Sequence, residues 1–395
     1  MSQPDRSIES LNHNQAVLER YAAGAQAVEA ALCCAVEDYD ARYLEIIPQE
    51  IIDKDYGCGD PSKHVGPGEV VLDLGSGAGK VCYILAQKVG PEGRVIGVDF
   101  NDAMLDLAEG HKPAIVSAMG YDNVSFVKGR IQDLALDLRR VEQYLEEHPV
   151  SDTESLLAFE SFCDRQRAEA PMIADDSIDV IVSNCVLNLV RPAEKKQLFR
   201  EMFRVLRRGG RVVISDIVCD EPPTQRIIED PDLWSGCISG AFVEDEFLQM
   251  FADAGFYGIE ILSRQEEPWQ TVDGIEFRSM TVRAYKGKEG PCLERNQAVV
   301  YRGPFKQVHD DDGHVYYRGQ RMAVCDKTFR ILTDPAGPYA DQFVGIEPRN
   351  DIPVEDARPF DCRHAAIRDP RDTKGADYHA DVAAAGPVCG PEGCC

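Results

Sequence analysis

Basic residues are scarce in this chain of 395 residues, in which 42 Lys and Arg stand against 68 Asp and Glu for a net charge of −26. Nucleic acids and anionic membranes bind basic patches, so this balance argues against both as partners. No apolar run reaches the roughly 18 residues that a membrane-spanning helix needs. The N-terminus lacks a basic stretch followed by an apolar one, so we expect no secretory signal and a cytoplasmic protein.

Cysteine, in contrast, is abundant, with 14 residues. Disulfide frameworks are rare in the cytoplasm, so these cysteines are better interpreted as ligands, redox groups or small buried hydrophobic residues. The length allows two domains, and a hydrophobic content of 44% supports a substantial core.

Short apolar runs alternate with helical segments through most of the chain, which predicts an α/β fold. Seven such runs indicate a doubly wound, mainly parallel sheet with helices on both faces. We expect an N-terminal helical or lid segment over residues 1–66 and the α/β domain over 67–288, with a helical insertion at about 133–172. A small β-rich domain is expected over 291–350. The composition of 366–395 predicts a disordered tail that contains cysteines.

A glycine-rich loop follows the first predicted strand and reads Asp73-Leu74-Gly75-Ser76-Gly77. Such a loop between a strand and a helix is a weak signal for nucleotide-type ligands, whose approach the glycines permit. Asp99 strengthens it, since a carboxylate at the end of the second strand can accept hydrogen bonds from both ribose hydroxyls. The Asp-x-Gly-x-Gly form resembles the loop of S-adenosylmethionine methyltransferases.

Position at the carboxyl ends of the strands extends this cofactor site. Phe100 and Met104 are placed to flank adenine, although core packing is an equal alternative for Met104. The candidate cofactor-binding residues are Tyr56, Asp73, Gly75, Ser76, Gly77, Asp99, Phe100, Met104, Arg130, Ile131 and Asn184.

Three cysteines lie in unusual sequence contexts. Cys58 is in Tyr-Gly-Cys-Gly, Cys185 in Ser-Asn-Cys-Val-Leu-Asn-Leu directly after the fourth strand, and Cys237 in Gly-Cys-Ile-Ser-Gly-Ala. Thiolates are ligands for soft metals and metalloids, so three of them beside a cofactor loop suggest a soft acceptor. The alternative for each cysteine alone is a small buried residue.

Together with the glycine loop, these motifs make the chain resemble the arsenite S-adenosylmethionine methyltransferases over about residues 15–350. The resemblance implies the methyltransferase sheet, methylation of arsenite and methylarsenite, and binding of trivalent arsenic by Cys58, Cys185 and Cys237. It also implies that Cys33 or Cys34, between which the sequence does not choose, pairs with Cys58 during turnover. A thioredoxin-type protein or glutathione would be the reductant, with no constitutive metal, and we expect a monomer.

Two other functions remain open at this point. One is methylation of a different small molecule, with the cysteines only structural, and the other is a non-enzymatic, thiol-rich protein that binds metalloids. The insertion at about 133–172 is longer than the connection usual in the family. The tail cysteines could capture metalloid and pass it inward or could bind soft metals adventitiously. The cysteines expected to be only small packed residues are Cys82, Cys163, Cys219, Cys292, Cys325 and Cys362.

Overall fold

The computed structural model describes residues 17–26, 39–364, 366–375 and 378. The predicted redox cysteines Cys33 and Cys34 and the cysteines of the tail lie outside the described residues. The chain divides into two compact units at the boundary between Gly287 and Lys288. Among the described residues, no helix combines the length and the apolar character that crossing a bilayer requires.

The first unit is built on one sheet of nine strands. Its main path has the order β3-β2-β1-β4-β5-β9-β7, while β6 pairs with β5 and β8 with β9. Strands β1 to β5 pair in parallel, and β9 runs antiparallel to β5 and β7. This confirms the predicted doubly wound, mainly parallel seven-stranded sheet and adds two short strands. The strands are β1 Val70–Leu74, β2 Arg94–Asp99, β3 Val124–Lys128, β4 Ile178–Asn184, β5 Leu206–Cys219, β6 Phe242–Val243, β7 Tyr257–Arg264, β8 Gln270–Val272 and β9 Ile275–Tyr285.

Helices follow the strands in alternation, and residues 17–26 are helical as well. Two 3₁₀ turns, Pro61–His64 and Leu187–Leu189, flank the sheet. The α-helices of this unit are Ala41–Leu44, Gln49–Asp53, Lys80–Val89, Asp102–Met119, Leu138–Glu147, Thr153–Glu169, Pro192–Val205, Gln225–Ile228, Pro231–Ser235 and Glu244–Asp253.

The sheet is buried on both faces. Side chains that alternate along a strand point to opposite sides of the sheet, so each face has its own hydrophobic cluster. In β1, Leu72 and Leu74 pack in one hydrophobic cluster with Leu198. Val71 belongs to a second cluster with Tyr83. All five side chains are almost fully buried. Two cores on one parallel sheet leave its carboxyl edge as the place where loops can form a binding site.

Between β3 and β4 the chain forms two helices, where we expected an inserted helical pair. Tyr144 on the first helix stacks on Phe162 of the second, with ring centroids 4.1 Å apart. Asp152 and Ser155 form a capping box at the start of the second helix. Such reciprocal bonds satisfy backbone N–H groups that the first turn leaves without intrahelical partners.

The second unit consists of small antiparallel sheets, β14-β11-β15, β10-β16 and β12-β13, in keeping with the β-rich character expected for this part. Its core contains Tyr301, Tyr316, Phe329 and Phe343. The helices of this unit are Asp326–Thr333, Pro370–Lys374 and the 3₁₀ turn Val354–Asp356. Its strands are β10 Leu293–Glu294, β11 Ala298–Tyr301, β12 Gln307–His309, β13 Val315–Tyr317, β14 Arg321–Ala323, β15 Phe343–Ile346 and β16 Arg358–Pro359.

The prediction of disorder from residue 366 onward was wrong for residues 366–375. The N–H of Ala323 donates to the carbonyl oxygen of Ala366 at 2.8 Å. The buried guanidinium of Arg368 donates to Glu294 Oε1 at 2.7 Å and to the carbonyl oxygen of Gln297 at 3.2 Å. A polar composition misled the prediction because these polar groups are satisfied inside the unit rather than by water.

Candidate active site

A cavity of about 1270 Å³, including its open mouth, lies at the carboxyl ends of β1, β2 and β4. Every residue predicted to bind the cofactor lines it. The set combines the loop after β1, the ends of β2 and β4, and residues that follow β3. The structure therefore brings together side chains that lie far apart in the sequence.

The loop after β1 needs glycine for two reasons. Gly75 and Gly77 have φ values of 73° and 50°, in the left-handed region that glycine adopts at least cost. A Cβ at Gly75 would lie 2.5 Å from Val186 Cγ1, so a side chain there would collide with the segment after β4. The hydroxyl of Ser76 is buried and has no hydrogen-bond partner among the residues that the structure describes.

Asp99 fixes this loop from the end of β2. Its Oδ2 accepts a hydrogen bond from the N–H of Gly77 at 2.8 Å, and its Oδ1 accepts one from the N–H of Asn101 at 2.9 Å. An ionised carboxylate has about four acceptor sites, so capacity remains for ligand hydroxyls. Burial raises the pKa of Asp99, and the hydrogen bonds from backbone N–H groups oppose that rise.

Asp73, the penultimate residue of β1, is buried, with an exposed fraction of 2%. The thiol of Cys82 donates to its Oδ2 at 3.2 Å. Burial raises the pKa of Asp73 to about 7. The same burial, together with the Asp73 carboxylate, raises the pKa of the Cys82 thiol. Cys82 is therefore a buried partner of Asp73, in line with its expected place in the core.

The three cysteines singled out from the sequence converge beside this cavity. Cys58 and Cys185 form a disulfide, with Cα atoms 5.8 Å apart. The thiol of Cys237 donates to the carbonyl oxygen of Cys185 at 3.2 Å. Their exposed fractions are 5%, 5% and 6%, so the sulfur atoms are shielded from bulk water. The partner predicted for Cys58 was Cys33 or Cys34, whereas the structure bonds it to Cys185.

Two of these cysteines have an uncommon backbone conformation. Cys185 and Cys237 have φ values of 60° and 63°, which residues with a side chain rarely adopt. Such conformations cost on the order of 1–3 kcal/mol and persist where the surrounding structure determines them. Hydrogen bonds from Cys185 N–H to the carbonyl oxygen of Ser215, at 2.8 Å, and from Cys237 N–H to that of Trp234, at 3.1 Å, hold them in place.

Asn184 joins the Cys58 segment to the end of β4. Its Oδ1 accepts hydrogen bonds from the N–H groups of Cys58 and Gly59, at 2.8 and 3.0 Å. Its Nδ2 donates to the carbonyl oxygen of Gly59 at 2.8 Å and to the Tyr39 hydroxyl at 3.1 Å. A Cβ at Gly57 would lie 2.1 Å from Nδ2, so this approach requires glycine. Asn184 also lines the cavity, and its amide is engaged by the segment that carries Cys58.

Comparison with known proteins places this geometry in a family. A methyltransferase-domain model matches residues 66–144 and 154–255. An arsenite methyltransferase of Aquipseudomonas alcaligenes is 31% identical over 335 residues, which cover 80% of this chain and 86% of the relative. The chain belongs to the arsenite methyltransferase family. The resemblance proposed from the cysteine motifs is thereby confirmed, and the protein is an enzyme of the methyltransferase class.

More distant members of the arsenite methyltransferase family are similar over most of their length. The Mus musculus enzyme is 27% identical over 347 residues, covering 85% of this chain and 82% of the relative. The crystal structure of an arsenic (III) S-adenosylmethionine methyltransferase from Chlamydomonas reinhardtii is 25% identical with a TM-score of 0.53. It covers 83% of this chain and 97% of that structure. Residues 288–378 match a model described only as a domain of unknown function.

In this arsenite methyltransferase family member, sequence reasoning missed the side chains that enclose Cys237. The Tyr21 hydroxyl lies 4.0 Å from its Sγ, and burial, followed by the nearby Cys237, raises the pKa of Tyr21 well above its ordinary value. Asn188 Nδ2 donates to the carbonyl oxygens of Cys237 and Ile217, at 3.1 and 2.7 Å. Asn188 was within the Cys185 motif and could have been found there. Nothing in the sequence around Tyr21 signals its position.

Two buried ionisable residues, Lys195 and Asp216, also escaped prediction. Burial lowers the pKa of Lys195 to about 8, and its Nζ donates to the carbonyl oxygen of Gly240 at 2.5 Å. Burial raises the pKa of Asp216 to about 6, while its carboxylate accepts hydrogen bonds from the N–H groups of Leu187 and Ile217, each at 2.8 Å. These contacts hold the segments that carry Cys185 and Cys237.

Proposed function

We propose that this enzyme methylates trivalent arsenic, as arsenite and methylarsenite, with S-adenosylmethionine as methyl donor. The observation that supports the proposal is the convergence of Cys58, Cys185 and Cys237 from three distant segments at the edge of the glycine-loop cavity. Thiolates are the ligands that soft metalloids prefer. The family membership and the names of the relatives point to the same substrate.

Substrate binding begins with reduction of the disulfide between Cys58 and Cys185. A dithiol protein of the thioredoxin type, or glutathione, supplies two electrons, and two protons complete the two thiols. Arsenous acid then exchanges its three hydroxyl groups for the sulfurs of Cys58, Cys185 and Cys237 and releases three water molecules. Arsenous acid is uncharged at neutral pH, so the strong negative charge of the protein does not oppose its entry.

The chain has the features that would hold S-adenosylmethionine. Asp99 retains acceptor capacity for the ribose hydroxyls, and Ser76 offers an unpartnered buried hydroxyl. Phe100, Met104 and Ile131 provide apolar surface for adenine in the same cavity. When bound, S-adenosylmethionine supplies an electrophilic methyl group, for which the lone pair of thiolate-bound trivalent arsenic is the nucleophile. No general base is required of the protein, because arsenic has no proton to remove.

Positioning is then the main contribution of the protein to the rate. Orientation of reacting groups can contribute about 7–11 kcal/mol. Asn184 and Asn188 supply it on the thiol side, since their amides hold the segments around Cys58 and Cys237. Asp99 supplies it on the cofactor side by holding the glycine loop.

Methylation leaves arsenic formally pentavalent, and we assign its reduction to a cysteine relay. Two thiols give two electrons to arsenic and become a disulfide, which the external dithiol reduces again. Cys58 with Cys33 or Cys34 remains the proposed pair. Mapping of disulfides after one turnover tests it, and full arsenite turnover in the Cys33→Ser/Cys34→Ser double variant, with no such disulfide in the wild type, would remove both from the mechanism.

The test of the function is arsenic speciation after incubation of the purified enzyme with arsenite, S-adenosylmethionine and reduced thioredoxin or glutathione. Methylated arsenic that requires all three additions is the expected result. A non-enzymatic thiol protein would bind arsenite without product. A methyltransferase for another small molecule would bind S-adenosylmethionine by calorimetry yet leave arsenite unchanged, and either outcome would overturn the proposal.

A further inference from the structure

A second group of three thiols lies in the second compact unit, and none of its residues takes part in the candidate active site. The sulfur atoms of Cys292, Cys325 and Cys362 lie within 4.8 Å of one another. All three are reduced cysteines in the structure. From the sequence each was expected to be a small packed residue, and their wide spacing gives no metal-site motif. The fold alone brings them together.

Backbone contacts place each of the three sulfurs. Cys292 precedes β10 and Cys362 follows β16, two strands that pair with each other. The N–H of Phe360 donates to the carbonyl oxygen of Cys292 at 2.9 Å, which continues that pairing towards the thiols. Cys325 is the N-cap of the helix Asp326–Thr333. Three separate segments of the unit therefore meet at the three sulfur atoms.

Cys325 is held in place by contacts with the first turn of its helix. Its Sγ accepts a hydrogen bond from the N–H of Thr328 at 3.4 Å and lies 3.2 Å from the Thr328 hydroxyl. A ligand sulfur at this position thus has a fixed direction.

The imidazole of His364 is the candidate for a fourth ligand; it is exposed, and the group of atoms within 4.8 Å of one another does not include it. His364 lines the same small cavity as Cys325 and Cys362. Its Nδ1 lies 3.4 Å from Asp361 Oδ2. Histidines that bind metals commonly donate their other ring N–H to a carboxylate, which fixes the ring and its tautomer. Contact between Nδ1 and Asp361 would leave Nε2 for a metal.

We propose that Cys292, Cys325, Cys362 and His364 bind one zinc ion. Three sulfurs and one imidazole nitrogen form a common ligand set for structural tetrahedral zinc. Binding releases the three thiol protons and leaves the histidine neutral, so the complex carries one net negative charge. Trivalent arsenic would use only the sulfurs, whereas the carboxylate-supported imidazole is a ligand suited to zinc.

The zinc site would cross-link the second unit and stabilise its fold. The zinc would link the segment before β10, the start of the helix Asp326–Thr333 and the segment after β16. The binding free energy of such a metal contributes directly to folding.

The first experiment measures zinc by mass spectrometry in full-length protein purified from zinc-supplemented cells without chelators. Cys362→Ser should contain one zinc less per chain than the wild type. The matched control is Cys163→Ser, which replaces a buried cysteine of the first unit and should leave the content unchanged. Zinc bound by other cysteines is present in both proteins, so the difference in zinc content between the wild type and Cys362→Ser reports this site alone. Equal zinc contents in the wild type and Cys362→Ser would overturn the proposal.

His364→Ala keeps the three sulfurs and changes an exposed side chain, so it tests the site even if a cysteine variant misfolds. Loss of zinc to a chelator should become at least tenfold faster, and the midpoint of thermal unfolding of the zinc-loaded protein should fall. Cobalt(II) in the wild type should show sulfur-to-metal charge transfer and tetrahedral ligand-field bands. Unchanged zinc release in His364→Ala, or a site that takes arsenite but neither zinc nor cobalt, would contradict the assignment. None of these readouts depends on methylation.

Discussion

Asn184→Ala should weaken arsenite binding far more than cofactor binding, although Asn184 lines the cofactor cavity. The change removes four hydrogen bonds, two from the N–H groups of Cys58 and Gly59 and two to Gly59 and the Tyr39 hydroxyl. A net contribution of about 0.5–1.5 kcal/mol for each would give about 2–6 kcal/mol. Water can replace part of this in a half-buried site, so we expect about 2–3 kcal/mol.

Since about 1.4 kcal/mol is a factor of ten, the population with Cys58 in reach of the other two thiols should fall about 30- to 150-fold. The assays are the arsenite dependence of methylation and calorimetry with S-adenosylmethionine. The KM for arsenite should rise at least tenfold, while the cofactor Kd should change by less than about threefold. The control Asn123→Ala removes two hydrogen bonds of a side chain that does not line the cavity, to the carbonyl oxygens of Ala86 and Gly90. It should lower the free energy of unfolding without raising the KM for arsenite relative to the cofactor Kd. A loss of cofactor affinity as large as the loss for arsenite would refute the positioning role.

Three further predictions concern the cofactor loop, its pH dependence and the second unit. Asp99→Asn keeps the shape of the side chain but removes the negative charge that strengthens its hydrogen bonds with Gly77 and with ligand hydroxyls. The Kd for S-adenosylmethionine, measured by calorimetry, should rise at least tenfold, and an unchanged Kd would refute the ribose role. Burial raises the pKa of Asp73 from 3.8 to about 7, so the folded protein retains a proton that the unfolded chain releases, and stability should fall as pH rises from about 4 to 7. Asp73→Asn should therefore raise the midpoint of thermal unfolding more at pH 8 than at pH 5, and the same shift at both values would show that Asp73 does not titrate in this range. Truncation after Ala365 removes the Arg368 contacts with Glu294 and Gln297 and should lower the thermal midpoint of the second unit by roughly 10 °C. Truncation after Tyr378 keeps these contacts and is the control. Equal midpoints for the two truncated proteins would contradict a structural role for the contacts.

The parts of the site that depend on local signals could be predicted from the sequence. The loop Asp73 to Gly77 lies between a strand and a helix, and its glycines meet a backbone requirement that is local. The rule that ligands sit beyond the carboxyl ends of parallel strands was sufficient to place Asp99 and Cys185 at one edge.

Residues whose position depends on tertiary packing could not be found in this way. Tyr21 reaches Cys237 only because a distant N-terminal helix packs there. Asp216 is inside an apolar strand, and its role follows from hydrogen bonds to the segment after β4. The Arg368 segment looked disordered because composition does not reveal that Glu294 satisfies its charge. The chain also gives no spacing signal for the thiols of the second unit.

The central claim is that the thiols beside the cofactor cavity hold arsenic for methylation, and Cys237→Ser tests it most directly. Cys219→Ser is the matched control, because Cys219 is buried in the same hydrophobic cluster but its thiol donates to the carbonyl oxygen of Phe242, at 3.3 Å, instead of to that of Cys185. The measurement is product speciation with arsenite, S-adenosylmethionine and reduced thioredoxin, alongside calorimetry with S-adenosylmethionine. We predict that Cys237→Ser loses arsenite methylation while binding the cofactor normally, and that Cys219→Ser keeps its activity. Full methylation by Cys237→Ser would contradict the account.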